Sequence, residues 1–435
     1  MTMTAIATGE QPAARQTPAP RCLACGQGEP VEFLDLGHTA LANNLPRSAA
    51  EWQPRFPLRA GLCPACGHVQ LLDIVPPEAM FTEYLYVSSA SSTLSRHFVK
   101  LAAQAHARSG LSPQSLAVDI GSNDGSLLAA LSALGARTQG VDPAENLAVL
   151  ALARGVQTDI AYFDAGTARR LQARHGPARL ITATNSFPHI PRLDSYLEGV
   201  RLLLEPGGIF AVEAHYLGDL IERTAFDTIY HEHVSYWALS PLERLLERHS
   251  LEVFDVERLA IHHGQLRAWI GHRGAHPVQP AVAHLRAEED RRGLGRLETM
   301  QAFGRRVAEL RDSIRQEMAR LGDAGLTVAG YGAPAKASTL LAYCGLGPEQ
   351  VLWIADRNPL KQGRFTPGTG VPIVGPEWIE RQRPDVLILF AWNFAEEIVA
   401  QLGGFARAGG RFLIPVPQVR IVCEDFSPEP QRPEE

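Results

Sequence analysis

The chain has 435 residues, of which 45% are hydrophobic and 20% charged, enough for about three domains with packed cores. Its formal net charge is -6 and its lysines and arginines are scattered, which argues against nucleic acid as a partner. No apolar run reaches the roughly 18 residues of a membrane span, and residues 1–20 lack an apolar signal core. We therefore expect a cytoplasmic protein with a disordered tail at residues 1–20 and no membrane partner.

Two cysteine pairs mark the first segment, which we place at residues 21–80. The pairs Cys22/Cys25 and Cys63/Cys66 each enclose two residues and each precede a glycine, the pattern of a zinc knuckle. The alternative is two redox dithiols, which a pair of matching motifs disfavours. We expect one structural Zn²⁺ held by four thiolates, with no open position for catalysis.

Alternating strands and helices follow in a second segment, residues 81–272. Residues 116–120 predict an apolar strand, residues 121–125 a tight loop and residues 126–134 a helix. Residues 209–213 predict a later strand. Repeated units of this kind predict an α/β domain with a mainly parallel sheet and ligands at the carboxyl ends of its strands.

A helical linker at residues 273–322 leads to a second α/β unit at residues 323–422. In the linker, apolar residues recur in steps of three and four, which predicts one long amphipathic helix. These residues are Met300, Phe303, Val307, Leu310, Ile314, Met318 and Leu321. The end of the chain, residues 423–435, is rich in Pro and Glu and predicts a second disordered tail.

The loop Gly121-Ser122-Asn123-Asp124-Gly125 distinguishes between two cofactors. A dinucleotide site needs Gly-x-Gly-x-x-Gly so that the backbone can approach a pyrophosphate, and this loop lacks that spacing. S-adenosylmethionine has no pyrophosphate, and a polar loop suits its ammonium and carboxylate groups. The loop therefore favours S-adenosylmethionine.

Other strand ends complete the candidate cofactor pocket. Asp142 ends the next strand, where a carboxylate can accept both ribose hydroxyl protons, although Pro143 after it also permits a helix N-cap. Asn185 ends a later strand and is either a second wall of the pocket or a turn-forming residue. The candidate cofactor-binding residues are Asp119, Gly121, Ser122, Asn123, Gly125, Asp142, Asn185 and Ser186.

The stretch Tyr230-His231-Glu232-His233 concentrates groups that exchange protons near neutral pH. A zincin helix needs histidines at i and i+4, whereas these lie at i and i+2. That spacing suits a strand with Tyr230 and Glu232 on one face and His231 and His233 on the other. A metal site would need further ligands, for which the candidates are His189, His215, His262 and His263.

Acid–base chemistry is the interpretation that we favour for this stretch over a metal site or a structural network. We expect Tyr230, Glu232 and His233 to take different roles and His231 to turn away. This requires the chain to leave the extended path near Glu232. His189 lies just beyond a strand end and is a further catalytic candidate, the alternative being a partly buried histidine at a helix start.

These motifs resemble those of bacterial S-adenosylmethionine-dependent sugar C-methyltransferases, which contain zinc and act on nucleotide-linked 4-keto-deoxysugars during the biosynthesis of branched sugars for antibiotics and surface glycans. The resemblance implies a Rossmann-like class I methyltransferase domain between a small N-terminal zinc-binding domain and a C-terminal Rossmann-like α/β domain that binds the sugar nucleotide. Besides the cysteine pairs, it is carried in order by Tyr84-Leu85-Tyr86-Val87-Ser88-Ser89, Gly121 to Gly125, Asn185 to His189, Phe226 to Tyr236, His263-Gly264-Gln265-Leu266-Arg267, Gly330 to Lys336 and Asp356 to Gly363.

The resemblance also implies roles for the site residues. His233 would remove a proton beside the 4-keto group, Tyr230 and Glu232 would orient the sugar and the imidazole, and His189 would hydrogen-bond the oxyanion. The methyl group would reach C-3 of a dTDP-linked sugar, bound by a monomer or homodimer. The implied substrate contacts are Tyr84, Tyr86, Ser88, Tyr230, His263, Arg267, Tyr331, Gly332, Ala333, Lys336, Asn358 and Lys361.

The segment Gly330-Tyr331-Gly332-Ala333-Pro334-Ala335 keeps other functions open. It matches Gly-x-Gly-x-x-Ala after a strand, which suggests NAD. Within the family it is better explained as a loop that meets the nucleotide diphosphate, with Lys336 and a helix N-terminus supplying positive charge, or as a vestigial structure. The alternatives are therefore an NAD-dependent sugar-nucleotide oxidoreductase and a non-catalytic zinc scaffold.

Overall fold

The computed structural model describes residues 21–81, 84–90, 92–261 and 264–423. The tail expected at residues 1–20 lies outside the described residues, as does all but the first residue of the tail expected at residues 423–435. The strands in the described ranges form sheets of four, seven and six strands. No helix in those ranges is long and apolar enough to cross a membrane.

The first sheet belongs to the N-terminal segment but is closed by a strand from the middle of the chain. Along its first strand, Leu34 and Leu36 are buried and Asp35 is exposed, the alternation of a strand with one face on a core. The fourth strand, Ser235–Tyr236, pairs with the third and begins two residues after His233. The first three, antiparallel, strands are β1 (Val31–Ala40), β2 (Arg55–Leu62) and β3 (Val69–Leu71).

The second sheet is the mainly parallel sheet expected for the central segment. Its strand order is β10-β11-β8-β7-β4-β5-β6; the β10–β11 and β11–β8 pairs are antiparallel, and the other pairs are parallel. Its strands, together with β9 of the first sheet, are β4 (Leu116–Ile120), β5 (Arg137–Asp142), β6 (Thr158–Ile160), β7 (Ala178–Thr184), β8 (Leu204–His215), β9 (Ser235–Tyr236), β10 (Leu251–Leu259) and β11 (Gln265–His272).

Burial explains why these segments form a parallel sheet. Every residue of β4 is buried, as expected for a strand that is covered by helices on both faces. The chain leaves β4 first toward β5 and later toward β7, so the strand order reverses at β4. Crevices at such a reversal, outside the carboxyl ends of the strands, are where α/β folds bind ligands.

Helices cover the central sheet and connect it to the last domain. The helix predicted at residues 126–134 is α2, and the predicted amphipathic linker helix is α9, whose seven predicted apolar positions are all buried. The helices are α1 (Ser92–Ser109), α2 (Ser126–Ala133), α3 (Glu145–Ala153), α4 (Ala165–His175), α5 (Leu193–Leu203), α6 (Leu217–Glu222), α7 (Leu239–Glu247), α8 (Pro280–Arg292) and α9 (Leu297–Asp323).

The third sheet forms the C-terminal domain, with strand order β14-β13-β12-β15-β16-β17, and is parallel except at β17. Its first helix, α10, follows β12 and faces the central domain through buried polar side chains. The elements are β12 (Val328–Tyr331), α10 (Ala335–Cys344), β13 (Ile354–Ala355), β14 (Ile373–Val374), α11 (Glu377–Gln382), β15 (Val386–Leu389), α12 (Ala395–Gln401), α13 (Gly403–Arg407), β16 (Arg411–Ile414) and β17 (Arg420–Val422).

Candidate active site

A cavity of about 390 Å³ opens at the carboxyl ends of β4, β5 and β7, where the three domains meet. Each domain contributes to its wall: Asn43 comes from the N-terminal domain, Asp142 from the central domain and Lys336 from the C-terminal domain. Its position is the crevice in which the topology of the central sheet predicts a ligand.

The candidate cofactor residues gather on one wall of this cavity. Gly125 alone lies behind the wall, because it shapes the loop: it has φ +74° and its N–H donates to the carbonyl of Ser122. The residues that line the cavity are Asp119, Gly121, Ser122, Asn123, Asp142, Asn185 and Ser186.

Asp142 combines the two roles left open for it. Its carboxylate accepts the backbone N–H groups of Asn123 and Ala144, each at 2.9 Å, so it shapes both loops. Burial raises its pKa, and these two donors lower it. The carboxylate still lines the cavity, and each oxygen has a second lone pair for a hydroxyl donor. Ribose binding by Asp142 stays a prediction that this geometry permits.

The first loop and the loop after β7 approach each other closely. Gly121 has φ +75°, and a Cβ atom there would lie 2.4 Å from the Cβ of Ser186. The hydroxyl of Ser186 donates to the carbonyl of Ile120. Asn185, at φ +58°, accepts a hydrogen bond from the side chain of Gln265. The two loops are therefore packed against each other and form a preshaped pocket floor.

The stretch around His233 is a turn, and the extended strand considered for residues 230–233 is wrong. The backbone N–H of His233 donates to the carbonyl of Tyr230 at 2.9 Å, which reverses the chain direction. As a result the rings of Tyr230 and His233 lie 4.0 Å apart, and both line the cavity. His231 turns away, with its Nε2 atom 3.1 Å from the carbonyl of Pro57.

His233 belongs to a group of aromatic rings on one side of the cavity. Its ring lies 5.2 Å from His189 and 5.0 Å from His215, and His189 stacks on Phe81 at 5.3 Å. Burial, and to a smaller extent a neighbouring imidazole, lower the pKa of His189 and of His233 to about 3, although the hydrogen bond to Thr228 raises that of His233. Both rings are therefore neutral at physiological pH.

The hydrogen bond of His233 determines which of its nitrogens can act as a base. Nδ1 lies 2.8 Å from the carbonyl oxygen of Thr228. Since a carbonyl only accepts, Nδ1 must carry the proton, and the lone pair is left on Nε2. His233 is thus held as a neutral imidazole with one basic atom.

Glu232 acts on other residues of the site and does not reach His233 or the cavity. Its buried carboxylate accepts two contacts from the side-chain amide of Asn43, at 2.7 and 2.9 Å, and one from the hydroxyl of Tyr84 at 2.8 Å. Burial raises the pKa of Glu232 to about 7, and its Tyr84 and Asn43 hydrogen bonds lower it. The expected orientation of the imidazole by Glu232 is corrected to positioning of Tyr84 and Asn43, both of which line the cavity.

Asn43 is a site residue that sequence reasoning missed. It follows β1, in the pair Asn43-Asn44, and polar amides at a strand end are a usable signal. This signal was not sufficient, because Asn43 lies in the cysteine domain and is separated from its partner Glu232 by 189 residues in the sequence.

The geometry of residues 230–233 does not support the metal site considered for this stretch. His231 and His233 face different neighbours, so the His-x-His pair cannot converge on one ion. His262 and His263 lie outside the described residues. In the described ranges, the His, Cys, Asp and Glu side chains that cluster at metal-ligand distance are the four cysteines.

The implied substrate contacts divide into three groups. Tyr84, Tyr86, Ser88, Tyr230, Lys336 and Lys361 line the cavity. His263 lies outside the described residues. Those that do not line the cavity are Arg267, Tyr331, Gly332, Ala333 and Asn358.

Arg267 requires a correction with a clear physical cause. It is buried on β11 and donates to Glu213 at 2.6 Å and to Glu257 at 3.0 Å. Glu213 also contacts the ring of His97 at 2.7 Å. The guanidinium is engaged by two carboxylates inside the protein, so its expected contact with substrate is not supported.

The polar groups of the Gly-x-Gly-x-x-Ala loop are also engaged within the C-terminal domain. The N–H of Ala333 donates to Asp356 at 2.6 Å, and the ammonium of Lys361 donates to the carbonyl of Ala333 at 2.7 Å. Asn358 accepts from the N–H of Leu360 in its own turn. A dinucleotide site would offer the carboxylate of Asp356 to a ribose, but here that carboxylate is bound to the loop. This contact disfavours both NAD and a diphosphate at Gly332.

A second cavity, of about 340 Å³, shares Asn393 and Phe394 with the first. Arg96, His97, Lys100 and Arg223 give it a basic wall. Among the described residues, no carboxylate forms an ion pair with Lys100 or Arg223. This basic cleft was not predicted from the sequence. The pair Arg96 and Lys100 on α1 was the available signal, because two like charges at i and i+4 lie on the same face of a helix.

The four cysteine sulfurs form a site that fits one zinc ion. All four Sγ atoms lie within 4.8 Å of one another, with Cys22 to Cys66 at 3.5 Å and Cys25 to Cys63 at 3.7 Å. A tetrahedral ion with Zn–S bonds of about 2.3 Å would place the sulfurs about 3.8 Å apart. In each pair the N–H of the following glycine donates to the first cysteine carbonyl at 2.8 Å, which forms the expected knuckle turn.

Three family models match consecutive parts of the chain. "Putative zinc binding domain" matches residues 22–81, "Methyltransferase domain" matches residues 95–256, and "C-methyltransferase C-terminal domain" matches residues 260–417. The cysteine cluster lies in the first matched range, and the cofactor wall and His233 lie in the second.

One characterised relative matches almost the whole chain. "C-methyltransferase NovU" of Streptomyces niveus is 39% identical over 411 residues, which cover 94% of this chain and 98% of the relative. Solved structures match a smaller share. A S-adenosylmethionine-dependent methyltransferase of Clostridium acetobutylicum covers 41% of this chain and 92% of its own, at 13% identity and TM-score 0.33. The PH0226 protein of Pyrococcus horikoshii covers 43% and 95%, at 16% identity and TM-score 0.35.

The cysteine site predicts a difference between two Cys→Ser variants. Cys63→Ser should lose bound zinc and lower the free energy of unfolding by more than about 4 kcal/mol, because the loss of a structural metal is among the largest single-residue effects. Cys423→Ser, which is outside the cluster, should change neither. Elemental analysis and thermal unfolding measure both quantities. Full zinc content and unchanged stability in Cys63→Ser would contradict the assignment.

Proposed function

Because this chain belongs to the zinc-containing C-methyltransferase family, whose members use S-adenosylmethionine, we propose that it methylates a carbon next to a ketone in a nucleotide-linked deoxysugar. The proposed substrate is a dTDP-linked 4-keto sugar, and the proposed site of methylation is C-3. The observation that carries the proposal is the tautomer of His233, whose Nδ1 proton is bound by Thr228 while its ring lines the cavity beside the cofactor wall.

The proposed reaction starts with a proton transfer to Nε2 of His233. A carbonyl acidifies the neighbouring C–H bond, and the electrons of that bond pass into an enolate as the proton reaches the imidazole. S-adenosylmethionine, when bound, would supply the electrophilic methyl group: as the enolate carbon bonds to it, the methyl–sulfur bond would break, its electron pair would go to sulfur, and S-adenosylhomocysteine would leave. The proton stays on His233, whose Nδ1–H remains held by the carbonyl of Thr228.

The lowered pKa of His233 is compatible with this role. Burial keeps the ring neutral before the reaction, so the basic form is present across the neutral range. Once the proton has moved, an anionic enolate lies beside the new imidazolium, and this pairing stabilises both charges in a buried site. The base therefore strengthens as the substrate ionises.

The hydroxyl of Tyr230 is the proposed donor to the developing oxyanion. Burial raises the pKa of Tyr230 well above the ordinary value, so it keeps its proton, whereas the proton of Tyr84 is already donated to the carboxylate of Glu232. Tyr230 lies against the His233 ring, and His189 is a further candidate donor from the stacked ring. Preorganised donors at such a position stabilise the charge that forms in the transition state.

The cofactor wall supports the proposed placement of S-adenosylmethionine. Asp142 would accept the ribose hydroxyls, and the loop at Gly121 with Asn185 and Ser186 would surround the methionine end. These residues line the same cavity as His233, which supports the proposal that the two reactants bind side by side.

The basic cleft supports a nucleotide-linked substrate. Lys100 and Arg223 form no ion pair with a carboxylate of the described residues and lie next to the cavity, and a diphosphate is the part of a sugar nucleotide that needs such positive charge. We therefore place the diphosphate in the basic cleft rather than on the Gly332 loop.

Removal of the base should abolish methyl transfer without loss of cofactor binding. We expect His233→Ala to reduce turnover by at least about 100-fold, with unchanged affinity for S-adenosylhomocysteine by calorimetry. The assay incubates enzyme and S-adenosylmethionine with a panel of dTDP-linked 4-keto-6-deoxysugars in deuterated water and follows methylation by mass spectrometry. His284→Ala, at an exposed position on α8, is the control. Turnover near the wild-type rate in His233→Ala would refute the assignment of His233 as the base. The absence of methyl transfer by the wild type and by the variant alike would favour the scaffold interpretation.

Glu232 predicts the acid limb of the pH–rate profile. Its raised pKa, about 7, means that the carboxylate which accepts hydrogen bonds from Asn43 and Tyr84 forms only as pH rises through about 7. Wild-type turnover should therefore increase over that range. Glu232→Gln should lack this limb and turn over about tenfold more slowly, the effect of one lost hydrogen bond to a charged group. The exposed substitution Glu309→Gln should keep the limb; a limb that survives in Glu232→Gln would contradict the prediction.

The basic cleft predicts a selective loss of substrate affinity. Lys100→Ala and Arg223→Ala should each raise KM for the sugar nucleotide by roughly tenfold, the effect of one lost charged hydrogen bond, with little change in kcat. The KM of S-adenosylmethionine should be unchanged. Arg315→Ala, at an exposed position on α9, is the control. Equal KM values for the sugar nucleotide in all three variants would contradict the placement of the diphosphate in this cleft.

A further inference from the structure

Helix α10 of the C-terminal domain places three buried polar side chains against the other two domains. Lys336, Ser338 and Thr339 are each at most 7% exposed. Polar groups that are buried this far need partners, since an unpaired one is destabilising. The hydroxyl partners lie outside the C-terminal domain, in the segments that carry His233 and Asn43.

Thr339 contacts the catalytic turn directly. Its hydroxyl donates to the carbonyl of Ile229 at 3.1 Å, and the contact is buried. Ile229 lies between Thr228, whose carbonyl binds Nδ1 of His233, and Tyr230, whose ring lies against His233. One hydroxyl of α10 thus holds the peptide in the middle of the turn.

Asp227 anchors the start of the same turn. Its Oδ2 atom accepts a hydrogen bond from the indole N–H of Trp392 at 2.7 Å. The ammonium of Lys336 lies 4.0 Å from the centre of the Trp392 ring and donates to Asn393 at 2.9 Å. The second oxygen of Asp227 is buried without a hydrogen bond in the described structure. Trp392 and Lys336 of the C-terminal domain therefore stabilise this carboxylate, together with backbone groups of Asp227 and Thr228.

Ser338 extends the contact to the N-terminal domain. Its hydroxyl donates to the carbonyl of Ala42 at 3.0 Å. The next residue, Asn43, is the side chain that binds the carboxylate of Glu232. One turn of α10 consequently contacts two backbone segments of the site: Ile229, in the turn that leads to His233, and Ala42, which precedes Asn43.

We propose that α10 positions the base of this enzyme, with Thr339 holding the Thr228–Ile229 segment so that the carbonyl of Thr228 fixes the Nδ1–H tautomer of His233. Thr339 and Ser338 are positioning residues because they act through the backbone carbonyls of Ile229 and Ala42. Lys336 is a positioning residue because it acts through the Trp392 ring and the carboxylate of Asp227. The inference rests on the proposed role of His233 as the base. It gives the C-terminal domain a part in the chemistry beyond binding a nucleotide.

The tautomer of His233 can be observed without any sugar substrate. Nitrogen NMR of ¹⁵N-histidine-labelled enzyme, bound to S-adenosylhomocysteine, distinguishes a protonated Nδ1 from a protonated Nε2, and His233→Asn identifies the signal. The titratable groups that face this ring, Tyr230, His189 and His215, are the same in each variant below. A change of the His233 signal therefore reports the turn.

The test compares Thr339→Val with two controls. Wild type should show the Nδ1–H tautomer, and Thr339→Val should shift toward a mixture and lower kcat by roughly 10- to 100-fold, the scale of a misplaced catalytic group. Thr339→Ser, which restores the hydroxyl, should recover the wild-type signal. Thr327→Val removes a hydroxyl of the same domain that bonds Asp385, and it should leave the signal unchanged.

The outcomes separate this inference from the proposed function. A wild-type His233 signal in Thr339→Val, or a mixed signal in Thr339→Ser as well, would overturn the inference. Asp227→Asn should also yield the mixed signal, and it provides a second test if Thr339→Val does not fold. An enzyme that methylates none of the keto sugars would instead contradict the proposed function, while the tautomer measurement would still decide the inference.

Discussion

The hydrogen bond from Nδ1 of His233 to the carbonyl of Thr228 is the interaction on which the rest of the site depends. It converts a residue with two exchangeable nitrogens into one with a single basic atom. Its geometry exists only while the chain turns between Thr228 and His233, because an extended chain would direct the ring elsewhere. In the proposed mechanism, the groups that hold this turn would therefore contribute to the chemistry.

Each flanking domain holds one end of the turn. On the amino-terminal side, Thr339 and Trp392 of the C-terminal domain bind Ile229 and Asp227. On the carboxyl-terminal side, β9 completes the sheet of the cysteine domain, and His68 of that domain contacts Ser235 at 3.2 Å. In the proposed mechanism, a zinc ion at the four thiolates would act only by stabilising the sheet that contains β9, because four thiolates leave no position for a substrate.

The sequence predicted those parts of the site that are encoded by contiguous residues. The Cys-x-x-Cys-Gly pairs, the loop at Gly121 and the concentration of proton-exchanging groups near His233 are all local patterns. The contact of Asn43 with Glu232 and the ion pairs of Arg267 depend on which distant side chains approach, with separations of 189 and 54 residues. Hydrophobic periodicity does not encode such approaches. The departure from the extended path near Glu232 was predicted and is confirmed, but the contacts that hold this turn come from two other domains and were not predicted.

A crystal structure of the enzyme with S-adenosylhomocysteine and dTDP would test the account most directly. We predict the adenosine ribose on Asp142, the sulfur end toward His233, and the diphosphate in the basic cleft at Lys100 and Arg223. Nε2 of His233 should face the space between the sulfur atom and the diphosphate. A diphosphate on the Gly332 loop, or a cofactor whose sulfur points away from His233, would contradict the account.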